Sequence, residues 1–345
     1  MPVARRAIFN EPRQPFEIDE RSLPECGPGE ALVQISLATI CASDLHTVDG
    51  RRFEPSPSVL GHEGVGRVVA MGAGRDPQLI GKRVTWSLAD SCGECIACRE
   101  WQLPQKCRHL FKYGHAEVTN GSGLNGCYAT HLLLRRGTTM IAVPDQLPDE
   151  VIAPANCALA TMVNATEWLP TPCRVAIIQG AGMLGLYGCA LLRVRGVGRV
   201  VVVDTNADRL GLVEHFGGIP AFRTGGHLVQ FGCADAVFEV AGTSSVVPEG
   251  IRHLRIGGYY AFVGMVHPST PLELSGQMVL RHCLTLRGFH NYSPRHLQTA
   301  VQFLIENQSN YPWDRLVSPA FSLDQIGAAF QEARTQRWPR VAIRP

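Results

Sequence analysis

The stretch Arg174-Val175-Ala176-Ile177-Ile178-Gln179-Gly180-Ala181-Gly182-Met183-Leu184-Gly185 reads as a strand, a glycine-rich turn and the start of a helix. In such a turn the first glycine permits a tight bend and the second lets the backbone approach a pyrophosphate. The third lets the helix pack closely on its strand, so that free helix N–H groups and the positive dipole end face the phosphates. A second strand, Arg199-Val200-Val201-Val202-Val203, ends at Asp204, about where a dinucleotide fold needs an acid for the ribose hydroxyls. Glycine turns in ordinary loops often match the fingerprint alone. The order strand, turn, helix, strand and acid carries the reading of a NAD-type site.

The bulk composition sets bounds around this stretch. A chain of 345 residues, 45% hydrophobic and 18% charged, suits about two globular domains. A net charge of +2 leaves no basic excess to track a nucleic-acid backbone or an anionic membrane. No stretch reaches the ~18 apolar residues of a membrane span, and no apolar run of signal-peptide length follows the N-terminus, so a cytoplasmic location is expected. Twelve cysteines in such a chain point to metal or catalysis rather than disulfides.

The cysteines are not evenly spread. Cys92-Gly93-Glu94-Cys95-Ile96-Ala97-Cys98 is followed by Cys107. Two CxxC steps sharing a cysteine form a knuckle around one tetrahedral ion, and a fourth thiolate closes it. A site with no open position is structural, and can be worth ~10–16 kcal/mol. Earlier come Cys41-Ala42-Ser43-Asp44-Leu45-His46 and Gly61-His62-Glu63-Gly64-Val65-Gly66. Catalytic zinc takes three protein ligands and keeps one position open. Cys41 and His62 could supply two of them, with Asp44 and Glu63 suited to orienting an imidazole or tuning the charge on the metal.

The pieces C-x-S-D-x-H at 41–46 and G-H-E-x-x-G at 61–66, followed by the glycine fingerprint, resemble the zinc-dependent alcohol dehydrogenases of the medium-chain dehydrogenase/reductase superfamily. The resemblance covers nearly the whole chain, with motifs in family order. It implies an α/β protein with a GroES-like, mainly-β catalytic domain over 1–150, bearing a structural zinc lobe at about 90–110. A Rossmann domain with a doubly wound parallel sheet would follow over 151–290, and 291–345 would return to the catalytic domain. It implies Cys157 as third ligand of the catalytic zinc, Glu63 as its neighbour or alternate ligand, and Cys92, Cys95, Cys98 and Cys107 around a second zinc. Ser43 would take the proton from the substrate oxygen, and His46 would receive it near solvent. There are two departures. Arg75 stands where the family prefers a small or apolar residue, and eight residues separate Cys98 from Cys107 where the family usually has seven.

Further along, Thr205-Asn206-Ala207-Asp208-Arg209 looks like the loop bordering the adenosine. An acid at Asp204 favours NAD over NADP, because it would repel a 2′-phosphate, although Arg209 could serve either. Strands at 236–240 and 259–263 place Gly242, Val263 and Gly264 on the nicotinamide side, with Gly180, Gly182, Met183, Leu184 and Gly185 under the pyrophosphate. The piece between the second strand and Asp235 is short and glycine-rich, which suggests a trimmed crossover helix. Cys173 and Cys189 read as buried helix cysteines. Leu284-Thr285-Leu286-Arg287-Gly288 resembles the edge strand through which family members join as homodimers or as homotetramers built from dimers.

The expected function is transfer of a hydride between a zinc-bound alcohol, ketone or aldehyde and NAD(H), with a small-molecule partner and neither nucleic acid nor membrane. Two alternatives stand beside it. One is a pathway-specific dehydrogenase of specialised metabolism, since 103–107 and 112–115 look locally like a subgroup associated with phosphonates. The other is a non-catalytic nucleotide-binding scaffold, against which the intact set Cys41, Ser43, Asp44, His46, His62 and Cys157 counts.

Overall fold

The computed structural model describes residues 2–223, 233–266, 271–272 and 274–345, and they fall into two compact units. One comprises 1–157, 293–308 and 313–345; the other comprises 158–292 and 309–312. The first therefore runs past the proline-rich turn at 144–149, as far as Cys157.

The first unit is built on the strand Ala31–Ile40, whose last four residues are all buried. Glu63–Met71 lies antiparallel along one side of it. On the other side His131–Leu134 pairs with its first half and Val341–Arg344 with its last residues. Arg83–Trp86, Met140–Ala142 and Phe321–Ser322 complete a seven-stranded sheet. Bulges between Leu32 and Val33 and between Ile35 and Leu37 bend the central pair. Glu17–Ser22, Val3–Phe9 and Ser58–Val59 form a separate three-stranded sheet.

Leu60, Val68, Trp86, Tyr113, Tyr128 and Phe330 lie in the core of this unit. The helix Ile326–Thr335 lays Ile326, Ala329, Phe330 and Ala333 on it, one stripe at helical spacing. Phe330 meets Tyr128 edge-on at 5.8 Å between ring centroids, and packs on Phe16 at 5.0 Å. Among the aromatic residues near the cysteine cluster, Trp86, Phe111 and Tyr113 are core residues and Trp101 is exposed.

The second unit is a six-stranded sheet in the order Ile219–Phe222, Arg199–Asp204, Val175–Gln179, Ala234–Glu239, Leu254–Phe262, Thr285–Gly288. Every neighbouring pair is parallel. In chain order this is 3-2-1-4-5-6, the doubly wound arrangement whose crevice opens where strand order reverses, between Val175–Gln179 and Ala234–Glu239. The Rossmann expectation is met. After Asp204 the chain forms the helix Ala207–Val213 and then the strand Ile219–Phe222, whose pattern Pro220 and the flanking glycines obscure in the sequence. The rest of the expected trimmed crossover, 224–232, lies outside the described residues. Cys189 is buried in the helix Met183–Val194, whereas Cys173 is not helical: it is half-buried in the approach to the first strand.

Truncating Phe330 removes a fully packed ring. Phe330→Ala is expected to lower the stability of the first unit by ~3–5 kcal/mol in urea unfolding of the full chain. A loss below ~1 kcal/mol would mean that the C-terminal helix does not pack as described.

Candidate active site and metal centres

The strand Ala31–Ile40 delivers Cys41, which caps the short helix Ala42–Val48. Asp44, third in that helix, accepts the Cys41 N–H at 3.0 Å and the Tyr128 hydroxyl at 2.9 Å, so it is fixed from two sides. Its other oxygen lies 3.5 Å from Nδ1 of His62. Ser43 and His46 ride on the same helix, three residues apart and hence on one face, both half-buried.

Glu63 opens the neighbouring strand directly opposite Thr39. Its carboxylate is fully buried and accepts two hydrogen bonds from Arg340, at 2.7 and 2.8 Å, and a third from the Thr39 hydroxyl at 2.6 Å. Arg340 also reaches Sγ of Cys41 at 3.4 Å. It arrives there because Val341, the next residue, pairs with Ile40. Cys157 is positioned by its predecessor: the Asn156 amide donates to the carbonyls of His62 and Trp86 at 3.1 and 3.0 Å. Sγ of Cys41 and Cys157, a ring nitrogen of His62 and a carboxylate oxygen of Glu63 consequently lie within 4.8 Å of one another.

The electrostatics of this cluster fit a cation. A hydrogen bond from Cys157 holds the Cys41 thiol well below its ordinary pKa despite burial, helped by Arg340 and His62. Cys157 is pushed up as the partner that keeps the proton. Burial opposes a charge on His62, but Asp44 and Cys41 outweigh it and raise the imidazole to about 10. Burial likewise pushes the Glu63 carboxyl up, and Arg340 pulls against it. The two-pronged geometry is that of a carboxylate paired with guanidinium. Negative donors in a buried site thus draw in protons, the places a metal ion would take.

The second cluster is Cys92, Cys95, Cys98 and Cys107, whose sulfurs also lie within 4.8 Å of one another. The Cys92–Cys107, Cys95–Cys98 and Cys95–Cys107 separations are 3.4, 3.6 and 3.8 Å. A tetrahedron with metal–sulfur bonds of ~2.3 Å has edges of about 3.8 Å. Backbone N–H groups of Cys92 and His109 point at the Cys107 sulfur, each at 3.3 Å. Those of Arg108 and Cys98 lower the Cys95 thiol to about 6. The long Cys98–Cys107 gap is absorbed between the helix Ile96–Arg99 and the turn Pro104–Lys106, where Gln102 adopts a left-handed φ of 56°. Arg75, the other departure, donates to the carbonyls of Gly29, Arg135 and Thr138 at 2.7–2.8 Å and pins three loop segments together.

In the second unit, Gly182 caps the helix Met183–Val194, so Met183, Leu184 and Gly185 form its first turn. A Cβ at Gly185 would lie 1.9 Å from the Gly180 carbonyl oxygen, which excludes any side chain there. Asp204 accepts the Ala181 N–H at 2.6 Å and the N–H groups of Thr205 and Asn206 at 2.7 and 2.9 Å, tying the acid to the glycine turn. Arg209 lies in the first turn of the next helix. Gly242 and Gly264 are joined by buried Glu239, which accepts their N–H groups at 2.6 and 3.1 Å, and Val263 hydrogen-bonds the Glu239 carbonyl at 3.0 Å. The roles of Arg340, Asn156 and Glu239 follow from the structure and not from sequence motifs. Asn156, the one amide in a run of small residues, carried a usable signal.

Residues 27–145 match the alcohol dehydrogenase GroES-like domain family and residues 184–306 the zinc-binding dehydrogenase family. The chain belongs to the zinc-dependent alcohol dehydrogenases. It is 27% identical to a 5-exo-hydroxycamphor dehydrogenase of Pseudomonas putida, over 96% of both chains. It is also 27% identical to an L-threonine 3-dehydrogenase of Legionella pneumophila, over 90% of both. An alcohol dehydrogenase structure from Thermotoga maritima superposes with a TM-score of 0.92 at 27% identity, over the full length of each. As a member of this family the chain is an oxidoreductase that uses zinc and NAD(H) on alcohols, and among its described residues no helix is long and apolar enough to cross a membrane.

Elemental analysis of protein purified without chelator is expected to give two zinc ions per chain. Cys157→Ala should retain one and keep its fold. Cys107→Ser should lose the other and unfold at much lower temperature, since a structural zinc is worth ~10–16 kcal/mol. A wild-type chain with two ions and a Cys157→Ala chain that also keeps two would remove Cys157 from the ligand set.

Proposed function

We propose that the chain oxidises a small-molecule alcohol, or reduces the matching carbonyl, at the cluster of Cys41, His62 and Cys157, with NAD preferred over NADP. The observation that carries the reading is the convergence of these three donors beside a carboxylate already satisfied by Arg340 and Thr39. Held by Cys41, His62 and Cys157, a zinc ion supplies a Lewis acid for the substrate oxygen, and bound NAD(H) supplies the hydride acceptor or donor.

The rest is done by side chains. Asp44, held by the Cys41 N–H and Tyr128, orients His62 and supports its basicity. Glu63 and Arg340 keep a neutral pair beneath the donors, so that neither charge is left buried alone. Ser43 takes the substrate proton, and His46, one turn further along the helix, passes it to solvent. Asp204 accepts the ribose hydroxyls and disfavours a 2′-phosphate, while Gly180 to Gly185 admit the pyrophosphate and Gly242, Val263 and Gly264 border the nicotinamide. The location is cytoplasmic. Thr285–Gly288, last in the order of its sheet, is the edge through which the chain forms a homodimer or a tetramer of dimers.

NADH formation with a panel of alcohols tests the reaction. Ser43→Ala is expected to lower kcat about 100-fold with both zinc ions retained, the usual scale of lost acid–base catalysis. His46→Gln should cause a smaller loss and alter the pH profile of kcat. An absence of turnover with every alcohol in zinc-replete, NAD-binding protein would favour the scaffold reading instead.

A further inference from the structure

A group of charged side chains with no part in the steps above lies beside the donor cluster: Arg52, Glu54, Lys112 and His115. Arg52 follows the helix that carries Ser43 and His46, its N–H returning to the His46 carbonyl at 3.0 Å. Lys112 ends the short strand Phe111–Lys112, opposite Ala89. The chain then runs so close to the His62 loop that a Cβ at Gly114 would lie 2.4 Å from the Gly61 carbonyl oxygen. His115 consequently sits with its ring 5.1 Å from that of His62.

The charges do not pair off. Glu54 binds Arg52 at 2.6 Å and accepts a hydrogen bond from Nδ1 of His115 at 2.9 Å, so its charge is met. Lys112 lies within electrostatic reach of Arg52, Glu54, Cys41 and Cys157. Yet among the described residues its ammonium makes no hydrogen bond or ion pair. It is half-buried, and desolvation together with the neighbouring Arg52 holds its pKa below the ordinary value. An ammonium taken partly out of water without a partner is costly, and an anion brought beside it offsets that cost.

We propose that Lys112, backed by Arg52, binds an oxyanion carried by the substrate, a carboxylate or a phosphate-type group, so that the preferred alcohol is a negatively charged one. The inference rests on the dehydrogenase reading, because the cation lies within electrostatic reach of Cys41 and Cys157, at which the alcohol would react. Lys112 selects the substrate; the chemistry remains with Ser43, His46 and the three donors.

The test compares 3-hydroxybutyrate and 2-hydroxyethylphosphonate with 2-butanol and 1-propanol, in the zinc-loaded full chain. Wild-type kcat/KM is expected to be at least about tenfold higher for one charged alcohol, and whichever of the two is preferred names the oxyanion. Lys112→Met should raise KM for that substrate about 10- to 100-fold more than for the neutral alcohols, the scale of one charge-assisted hydrogen bond. Lys112→Arg should restore part of the difference. In calorimetry, acetate or methylphosphonate should bind the wild type about tenfold more tightly than Lys112→Met. Equal binding would place the anion on the metal and overturn the proposal. Oxidation of neutral and charged alcohols alike would overturn it too, as would equal losses for both in Lys112→Met, and either result leaves the dehydrogenase reading standing. Failure to oxidise any alcohol would sink that reading and this inference together.

Discussion

The first unit turns on one electrostatic constraint: two thiols, an imidazole and a carboxylate are packed within 4.8 Å of one another in a buried site. Such a set cannot all carry its natural charge in a low-dielectric interior unless positive charge is supplied. Part of it comes from Arg340, which meets Glu63 with two hydrogen bonds and also reaches Cys41. The remainder is drawn as protons, seen in the raised His62 and Cys157, and a metal ion is the stronger competitor for those positions. The topology of the unit serves this arrangement. Ala31–Ile40, with Glu63–Met71 on one side and Val341–Arg344 on the other, brings residues 41, 63 and 340 to the same end of three adjacent strands.

Local motifs were legible in the sequence because their geometry is local. Cys92, Cys95 and Cys98 fold around one point within a single turn, and Gly180 to Gly185 form one strand-to-helix turn, so spacing alone announces them. Four strands of the second unit were visible as apolar runs, since a parallel sheet covered on both faces is apolar throughout. Ile219–Phe222 escaped because an edge strand is less buried and tolerates a proline. Arg340 could not be read at all. Its partner Glu63 is 277 positions away, and one arginine among several in the C-terminal segment has no pattern of its own. In the sequence Glu239 reads as one more strand residue, not as the link between Gly242 and Gly264, because its side-chain partners lie at the ends of two different strands.

The two departures from the family pattern show how loops accommodate change. The extra residue before Cys107 sits in a stretch that must only connect a short helix to the turn delivering the last sulfur, and one left-handed residue, Gln102, takes up the slack. Arg75 has the opposite effect. A small residue would offer no donor to the carbonyls of Gly29, Arg135 and Thr138, whereas the guanidinium reaches all three from one point. Neither change touches the donors of either cluster.

The two metal centres differ in whether a fourth protein donor is free to close the site. At 92–107 four sulfurs approach a tetrahedron, leaving a bound ion no position for anything else. At 41–157 the fourth donor, Glu63, is present within the same radius but occupied: Arg340 takes both of its oxygens and Thr39 one of them again. A carboxylate engaged in this way is a poor ligand, because coordination would break a buried ion pair and strand the guanidinium. Catalytic zinc requires three protein ligands and one open position. A zinc ion held by Cys41, His62 and Cys157 would keep that position open because Arg340, at the entry to the strand Val341–Arg344, engages Glu63.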